Sequence, residues 1–383
     1  MADREGFLKT RAAEGLLRVL KPVSWRDNGR IRVDEKEYID FSSNDYLGLS
    51  NHPKLIEQAK QAVDKFGTAG AASRLMSGDL ELHHQLEERI AGFKNREAAL
   101  FFNSGYQANV GIISALYGKG DCIFLDRLSH ASIIDGAILS GARVARFAHN
   151  DTGHLELLLK KERDKFKSAV IITESVFSMD GDKAPLKQLI QLKEKYNCEM
   201  FVDEAHATGI FGGNGSGLAE EEDKEGRIDF LMGTFSKALG GFGAYLAASR
   251  KNVEYLVNTC RSFIYSTSLP AGVIAGNLAG IEVIREEPFR RERLLEAAEY
   301  FRRSLKNRGF QVSGESQIIP VIIGENLKTQ RFAAELRKKG YWVLPVRPPT
   351  VPKGEARLRF SLTFGHTREI LAKLIDDFSD IRI

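Results

Sequence analysis

Lys237 lies in Gly233-Thr-Phe-Ser-Lys-Ala-Leu-Gly-Gly-Phe-Gly, just after an apolar run, with Thr234 and Ser236 beside it and glycines beyond. A lysine at a strand end is ordinarily a solvated cation. Here small hydroxyls and glycines let backbone and ammonium approach a phosphate-bearing ligand closely. A desolvated lysine can lose its proton and form a Schiff base with a carbonyl. Upstream, Phe201-Val-Asp-Glu-Ala-His-Ala-Thr-Gly delivers Asp203 and His206 at the end of an apolar run, the edge where α/β sheets bind ligands. As plain structure, Asp203 would cap the next helix. As chemistry, the motif suits a nucleotide hydrolase or an acid that pairs with a protonated ring nitrogen. The hydrolase needs a Gly-x-x-x-x-Gly-Lys-Ser/Thr loop. Gly118-Lys119 is followed by Gly120, and Ile113 stands where the first glycine should be, so that reading fails. Phe102-Asn-Ser-Gly-Tyr-Gln-Ala-Asn turns through Ser104-Gly105 into Tyr106, a strand–glycine–helix turn whose free N–H groups could hold a phosphate. In Arg127-Leu-Ser-His-Ala-Ser, His130 is either a cap or a ring on which a flat ligand stacks.

These residues need elements to position them. From about residue 97 to 250, short apolar runs (98–102, 122–125, 169–173, 200–202, 230–233) alternate with helix-like segments such as 106–116, 131–139 and 186–196. Continuous apolar strands between helices predict a mostly parallel sheet covered on both faces, an α/β class. Residues 7–20 predict a short N-terminal helix and 31–41 a hairpin or a pair of short strands. Residues 53–66 predict a helix with Pro53 in its first turn and Gly67 as its stop. Beyond 250, helices over 286–308 and 327–339 alternate with strands over 318–323, 341–344 and 357–362. The expected domains are 1–45 (N-terminal helix and short strands), 46–280 (large α/β domain) and 281–383 (small α+β domain). On the last strand Arg357 and Arg359 share one face, opposite Leu358, Phe360 and Leu362. Either could hold a carboxylate bidentately, and both could simply be solvated.

The 383 residues, 43% hydrophobic and 28% charged, have the balance of a soluble globular protein and exclude disorder or collagen-like sequence. A net charge of +4, scattered, argues against a nucleic-acid partner. Three dispersed cysteines, Cys122, Cys198 and Cys260, read as reduced thiols, and no metal-ligand spacing is present. Met1-Ala-Asp-Arg-Glu is charged and leads into no apolar stretch, so no secretory segment is expected there. The most apolar stretch, 271–284, is broken by Asn277 and Glu282, so no membrane span and a cytoplasmic location are expected.

A phosphate cradle, a stacking ring, an acid at a strand end and a lysine after a later strand, in that order, are the parts of a pyridoxal 5'-phosphate site. The sequence resembles the fold-type-I enzymes that use this cofactor, and within them the α-oxoamine synthases, most specifically their biotin-pathway branch. The resemblance runs over nearly the whole chain, through Phe41-Ser-Ser-Asn-Asp-Tyr-Leu-Gly-Leu-Ser, Leu128-Ser-His-Ala-Ser, Glu174-Ser-Val-Phe-Ser-Met-Asp-Gly-Asp, Val202-Asp-Glu-Ala-His, Thr234-Phe-Ser-Lys-Ala, Tyr265-Ser-Thr-Ser-Leu-Pro and Arg347-Pro-Pro-Thr-Val-Pro. It implies that Lys237 carries the cofactor and moves the α-proton, that Asp203 pairs with the pyridine nitrogen, that His206 bonds the phenolic oxygen and that His130 stacks on the ring. Gly105, Tyr106, Ser178 and Thr234 would add cofactor contacts, and Thr267 of the Ser266-Thr267 pair would complete the phosphate site across a homodimer interface. Arg359 would take the amino-acid carboxylate, with Arg18, Asn44, His130 and Thr350 also at the substrate. The implied reaction is a decarboxylative condensation of L-alanine with pimeloyl-CoA or a pimeloyl-carrier protein. Glycine C-acetyltransferase chemistry is the alternative within the family, and a non-catalytic cofactor-binding regulator the remote one. The segment Phe66-Gly-Thr-Ala-Gly-Ala-Ala-Ser-Arg departs from the family's glycine-rich pattern and leaves that loop's geometry open.

Overall fold

The computed structural model describes residues 3–381. They fall into two units: one takes the chain to Gly48, Ser178–Asp182 and the chain from Glu292, and the other takes Leu49–Phe177 and Lys183–Arg291. The first unit opens with α1 (Arg4–Ala13) and continues with β1 (Trp25–Asp27), β2 (Arg30–Val33) and β3 (Lys36–Asp40). The helix expected over 7–20 is shorter and starts earlier, because Gly15, at φ 66°, turns the chain out after Ala13. The expected hairpin forms: β2 and β3 are antiparallel, joined by Asp34 and Glu35 at φ 48° and 60°, the left-handed turn that suits strand twist.

The second unit begins with α2 (Pro53–Phe66), bounded by His52 as N-cap and Gly67 as stop, and α3 (Glu81–Phe93). The alternation follows: β4 (Ala98–Phe102), α4 (Gly105–Leu116), β5 (Asp121–Asp126), α5 (Ala131–Ser140), β6 (Arg143–Phe147), α6 (Thr152–Glu162), β7 (Ser168–Glu174), α7 (Leu186–Lys195), β8 (Glu199–Asp203), α8 (Leu218–Glu221), β9 (Phe230–Thr234) and β10 (Ala244–Ala248). Helices α9 (Arg250–Thr259), α10 (Arg261–Ile264) and α11 (Ala271–Glu286) close it. The seven strands are ordered β4-β10-β9-β8-β7-β5-β6. All neighbours are parallel except β10, antiparallel to both β4 and β9. This is the mixed, mostly parallel sheet that the resemblance implies. All its strands but the edge strand β6 are buried on both faces, and Leu100, Ile123, Val170, Phe201, Phe230 and Leu246 pack against α4, α5 and α9 as one core. Parallel pairing puts the C-terminal ends of β5, β7, β8 and β9 on one edge, so their last residues, Asp126, Glu174, Asp203 and Thr234, gather there.

The first unit resumes with α12 (Phe289–Asn307), β11 (Ile318–Gly324), α13 (Asn326–Lys338), β12 (Tyr341–Trp342), β13 (Pro345–Val346), β14 (Ala356–Ser361) and α14 (Arg368–Ser379). The helix expected over 286–308 forms as α12, starting at Phe289 because Pro288, which lacks an N–H donor, separates it from α11. The strand expected over 341–344 is shortened to β12, which joins β3 in parallel; β13, just beyond the expected range, joins β14. No helix among the described residues is long and apolar enough to cross a membrane. The three cysteines are buried and unpaired with one another.

Asp40, the last residue of β3, is buried, and its Oδ1 accepts from the Ser42 N–H at 2.8 Å. Burial pushes its pKa up to about 6, against the pull of the Ser42 and Ser43 N–H groups and of Arg26. A carboxyl whose folded pKa is raised favours folding while protonated and loses that advantage as pH climbs from the unfolded carboxylate range through 6. Asp40→Asn is therefore expected to be more stable than the parent at pH 8 by about 2–3 kcal/mol and equal to it near pH 3. Urea unfolding at the two pH values checks this, and an equal effect at both would show that Asp40 ionises normally.

Candidate active site

The ends of β8 and β9 and the heads of α4 and α5 converge at the strand-end edge of the second unit. Asp203 closes β8 and is 5% exposed. Its Oδ1 accepts from the Ala205 N–H at 2.9 Å, and its Oδ2 accepts from Asn109 Nδ2, also at 2.9 Å. The residue makes a local turn and caps no helix, and an amide orients its carboxylate. Asn109 Nδ2 also reaches Ser132 Oγ at 3.0 Å, which ties α4 to α5. His206 is buried on the loop after Asp203.

His130 is the N-cap of α5, so the capping role weighed for it is real. Its Nδ1 lies 2.7 Å from Ser132 Oγ and 3.3 Å from the Ser132 nitrogen, which fixes the ring by one edge. The residue stays exposed, which leaves ring area for a flat ligand. Partial burial and the charge of Lys237, against the opposing pull of Asp203, hold the imidazole's pKa below its ordinary value. His130 is thus neutral at pH 7, and Lys237 and Asp203 are near enough for their charges to act on it. Lys237 is half-buried on the turn after β9. Thr234 ends that strand, donates to the Gly243 carbonyl at 2.8 Å and sits 2.6 Å from Ser236 Oγ.

Ser104 caps α4, its hydroxyl accepting from the Gln107 N–H at 3.2 Å. The N–H groups of Gly105 and Tyr106, in the first turn, have no intrahelical acceptor. Tyr106 is half exposed and bonds Asp135 through its hydroxyl. The Ser266-Thr267 pair lies beside this helix head within the same chain: Gln107 Nε2 meets Ser266 Oγ at 2.6 Å, and Asn103 Nδ2 meets the Thr267 carbonyl at 2.7 Å. The divergent glycine segment docks on the same stretch. Ser73 bridges Thr267, Ser268 N–H donates to the Ala72 carbonyl, and a Cβ on Gly70 would lie 2.1 Å from the Ser268 carbonyl oxygen.

The remaining expected residues belong to the first unit. Both arginines of β14 are buried, so the solvated reading of that strand is wrong. They differ in partners. Arg357 is neutralised by Asp180 at 2.5 Å and Glu355 at 2.9 Å. Among the described residues Arg359 has only neutral acceptors: the Ser178 carbonyl, Ser361 Oγ, Asn44 Oδ1 at 3.4 Å and Tyr46 Oη at 3.5 Å. A buried guanidinium without an anion is a ready carboxylate site, and the same bonds bring Asn44 and Ser178 beside it. Arg18 donates to Thr350 Oγ1 at 3.2 Å.

Three residues at the strand-end edge escaped the sequence reading. Asn109 orients Asp203, and it closes the quoted run that begins at Phe102. Glu174 opens another quoted motif and accepts from the His130 N–H at 2.6 Å. Lys94 is fully buried and reaches Glu204, next to Asp203, at 2.7 Å; no local pattern signals that pair.

The donor set fits pyridoxal 5'-phosphate. An amide-held carboxylate suits a protonated ring nitrogen, the open N–H groups of α4 suit a phosphate, and a neutral imidazole and a lysine flank the space between. The class I and II aminotransferase family model matches residues 36–378. The 8-amino-7-oxononanoate synthase of Geobacter sulfurreducens is 47% identical over 97% of this chain and 95% of its own length. That of Geobacter metallireducens is 47% identical over 95% of this chain and 93% of its own. Among solved structures, a Sphingomonas wittichii serine palmitoyltransferase matches with a TM-score of 0.92 at 32% identity, over 98% of this chain and 94% of that one. The Francisella tularensis 8-amino-7-oxononanoate synthase matches at 0.77 and 30%, over 89% and 97%. The chain therefore belongs to the class I and II aminotransferase family of pyridoxal-phosphate-dependent enzymes, in its 8-amino-7-oxononanoate synthase branch.

Proposed function

We propose that this enzyme condenses L-alanine with a pimeloyl thioester, releasing carbon dioxide and free thiol and giving 8-amino-7-oxononanoate for biotin synthesis. The observation that carries the reading is the grouping of Lys237, the Asn109-held Asp203 and the neutral His130 at one sheet edge, under relatives that bear this enzyme's name. When bound, pyridoxal 5'-phosphate supplies the electron sink for a carbanion at the alanine α-carbon. The protein's residues do the rest. Asp203 keeps a proton on the ring nitrogen, and Asn109 keeps Asp203 in place. His206 bonds the phenolic oxygen, and His130 covers one ring face. Gly105, Tyr106 and Thr234 hold the phosphate end, with Thr267 completing it in a homodimer, and Ser178 adds a cofactor contact. Lys237 Nζ takes the α-proton. Arg359 holds the alanine carboxylate, with Asn44, Arg18 and Thr350 contributing to the substrate site.

The test is thiol release by the holoenzyme with L-alanine and pimeloyl-CoA, beside glycine and acetyl-CoA. Release with the first pair is expected. Release mainly with the second would make the enzyme a glycine C-acetyltransferase. Silence with CoA thioesters but turnover with a pimeloyl-carrier protein would assign the carrier. Arg359→Lys, which loses the planar fork, is expected to raise the alanine KM roughly ten- to a hundredfold with little change in kcat. An unchanged KM would move carboxylate binding elsewhere.

A further inference from the structure

Glu174 is a buried carboxyl at the same sheet edge that the reaction proposed above does not use. It ends β7 and is registered directly opposite Asp203 of β8 in the parallel ladder, so the two carboxyl groups leave the same face of the sheet. Its residue is 3% exposed, and Oε1 accepts the His130 backbone N–H at 2.6 Å. Asp126 faces it from the end of β5, itself bonded to His149, Lys237 from the turn after β9, and His130 from the α5 cap. Two adjacent buried carboxylates cannot both ionise cheaply. Asp203 has the better claim to the charge, because it accepts two N–H bonds where Glu174 accepts one.

We propose that Glu174 is a positioning residue that works as a neutral carboxylic acid: it anchors the His130 backbone, and so the ring, while leaving Asp203 as the anion beside it. Burial, then the charge of Asp203, drives its pKa well above the carboxylate range against the pull of Lys237 and the His130 N–H, in keeping with that geometry. A neutral Glu174 accepts the N–H through its carbonyl oxygen, as a glutamine amide would. An ionised one would compete with Asp203 for the cofactor's ring proton. The activity arm of the test rests on the reaction proposed above; the spectroscopic arm does not.

The test compares Glu174→Gln and Glu174→Ala in the full chain. Isotope-edited infrared spectra with 13C-labelled glutamate, recorded at neutral pH with and without cofactor, should show a protonated-carboxyl band in the parent that Glu174→Gln lacks. In turnover, Glu174→Gln should remain within about threefold of the parent, whereas Glu174→Ala, which leaves the His130 N–H unpaired, should lose roughly ten- to a hundredfold. Melting curves of Glu174→Gln check that the isosteric variant is folded. Absence of the band, a Glu174→Gln enzyme as impaired as Glu174→Ala, or a Glu174→Ala enzyme equal to the parent would each overturn the assignment. If the parent itself turns over no alanine, the infrared comparison still decides the protonation state.

Discussion

Replacing Lys237 with alanine is expected to lower thiol release by at least about 10⁴-fold and to change the visible spectrum of the bound cofactor. Positioned proton transfer alone is worth roughly 10²–10⁴ in rate, and covalent attachment through the same nitrogen adds to it. The neighbours offer no equal substitute. His130 is held neutral, but its Nδ1 is occupied by Ser132, and Asp203 is committed to Asn109 and the Ala205 N–H. The fold should not suffer, because Lys237 lies half-buried on a turn rather than in the sheet core, and such substitutions shift stability by about 0.5 kcal/mol or less. The variant's Tm should therefore match the parent's while activity disappears. Turnover within tenfold of the parent would require another base and would remove the mechanism proposed here.

Much of this is legible in the sequence because the chemistry sits in local words. Lys237 with Thr234 and Ser236, Asp203 with His206, and Ser104 with Gly105 are each within a few residues of one another, and strand-end placement follows from the apolar run before each. The α2 boundaries were readable for the same reason, since Pro53 and Gly67 act locally. What escaped was non-local or atypical. Strand β10 reads Ala-Tyr-Leu-Ala-Ala, a composition with no β-branched residue, and only pairing with both β4 and β9 makes it a strand. Asn109 was in plain view, but its partner Asp203 is distant in sequence, and nothing in either neighbourhood announces the bond. The arginines of β14 looked equivalent by alternation. They differ because Asp180, from a distant segment, neutralises one and leaves the other to neutral acceptors.

The buried Lys94 shows how such a distant pairing supports the site, and its loss is the second large effect expected. Lys94 follows α3 and is wholly buried. Its Nζ donates to Glu204 Oε2 at 2.7 Å, to Thr208 Oγ1 at 3.1 Å and to the Ser216 carbonyl. Thr208 in turn meets Tyr245 Oη at 3.0 Å, and Glu204 Oε1 accepts the Ala219 N–H at 2.9 Å. Burial alone would lower the lysine's pKa; the charge of Glu204 and the hydrogen bond to it outweigh burial and hold it above its ordinary value. The network clamps the loop that carries Asp203 and His206, since Glu204 lies between them. Lys94→Met strands a carboxylate in a dry interior and is expected to cost about 3–5 kcal/mol. Lys94→Met with Glu204→Gln removes both charges, and the amide can still accept from Ala219. That double variant should recover most of the loss, because a neutralised pair avoids the desolvation cost of the ions. Urea unfolding of the parent, both single variants and the double variant measures the coupling. A double variant as unstable as Lys94→Met would show that packing around the lysine stem, rather than the ion pair, holds the loop. Cofactor affinity should follow stability across the four proteins, because Asp203 and His206 keep their geometry only while that loop is anchored.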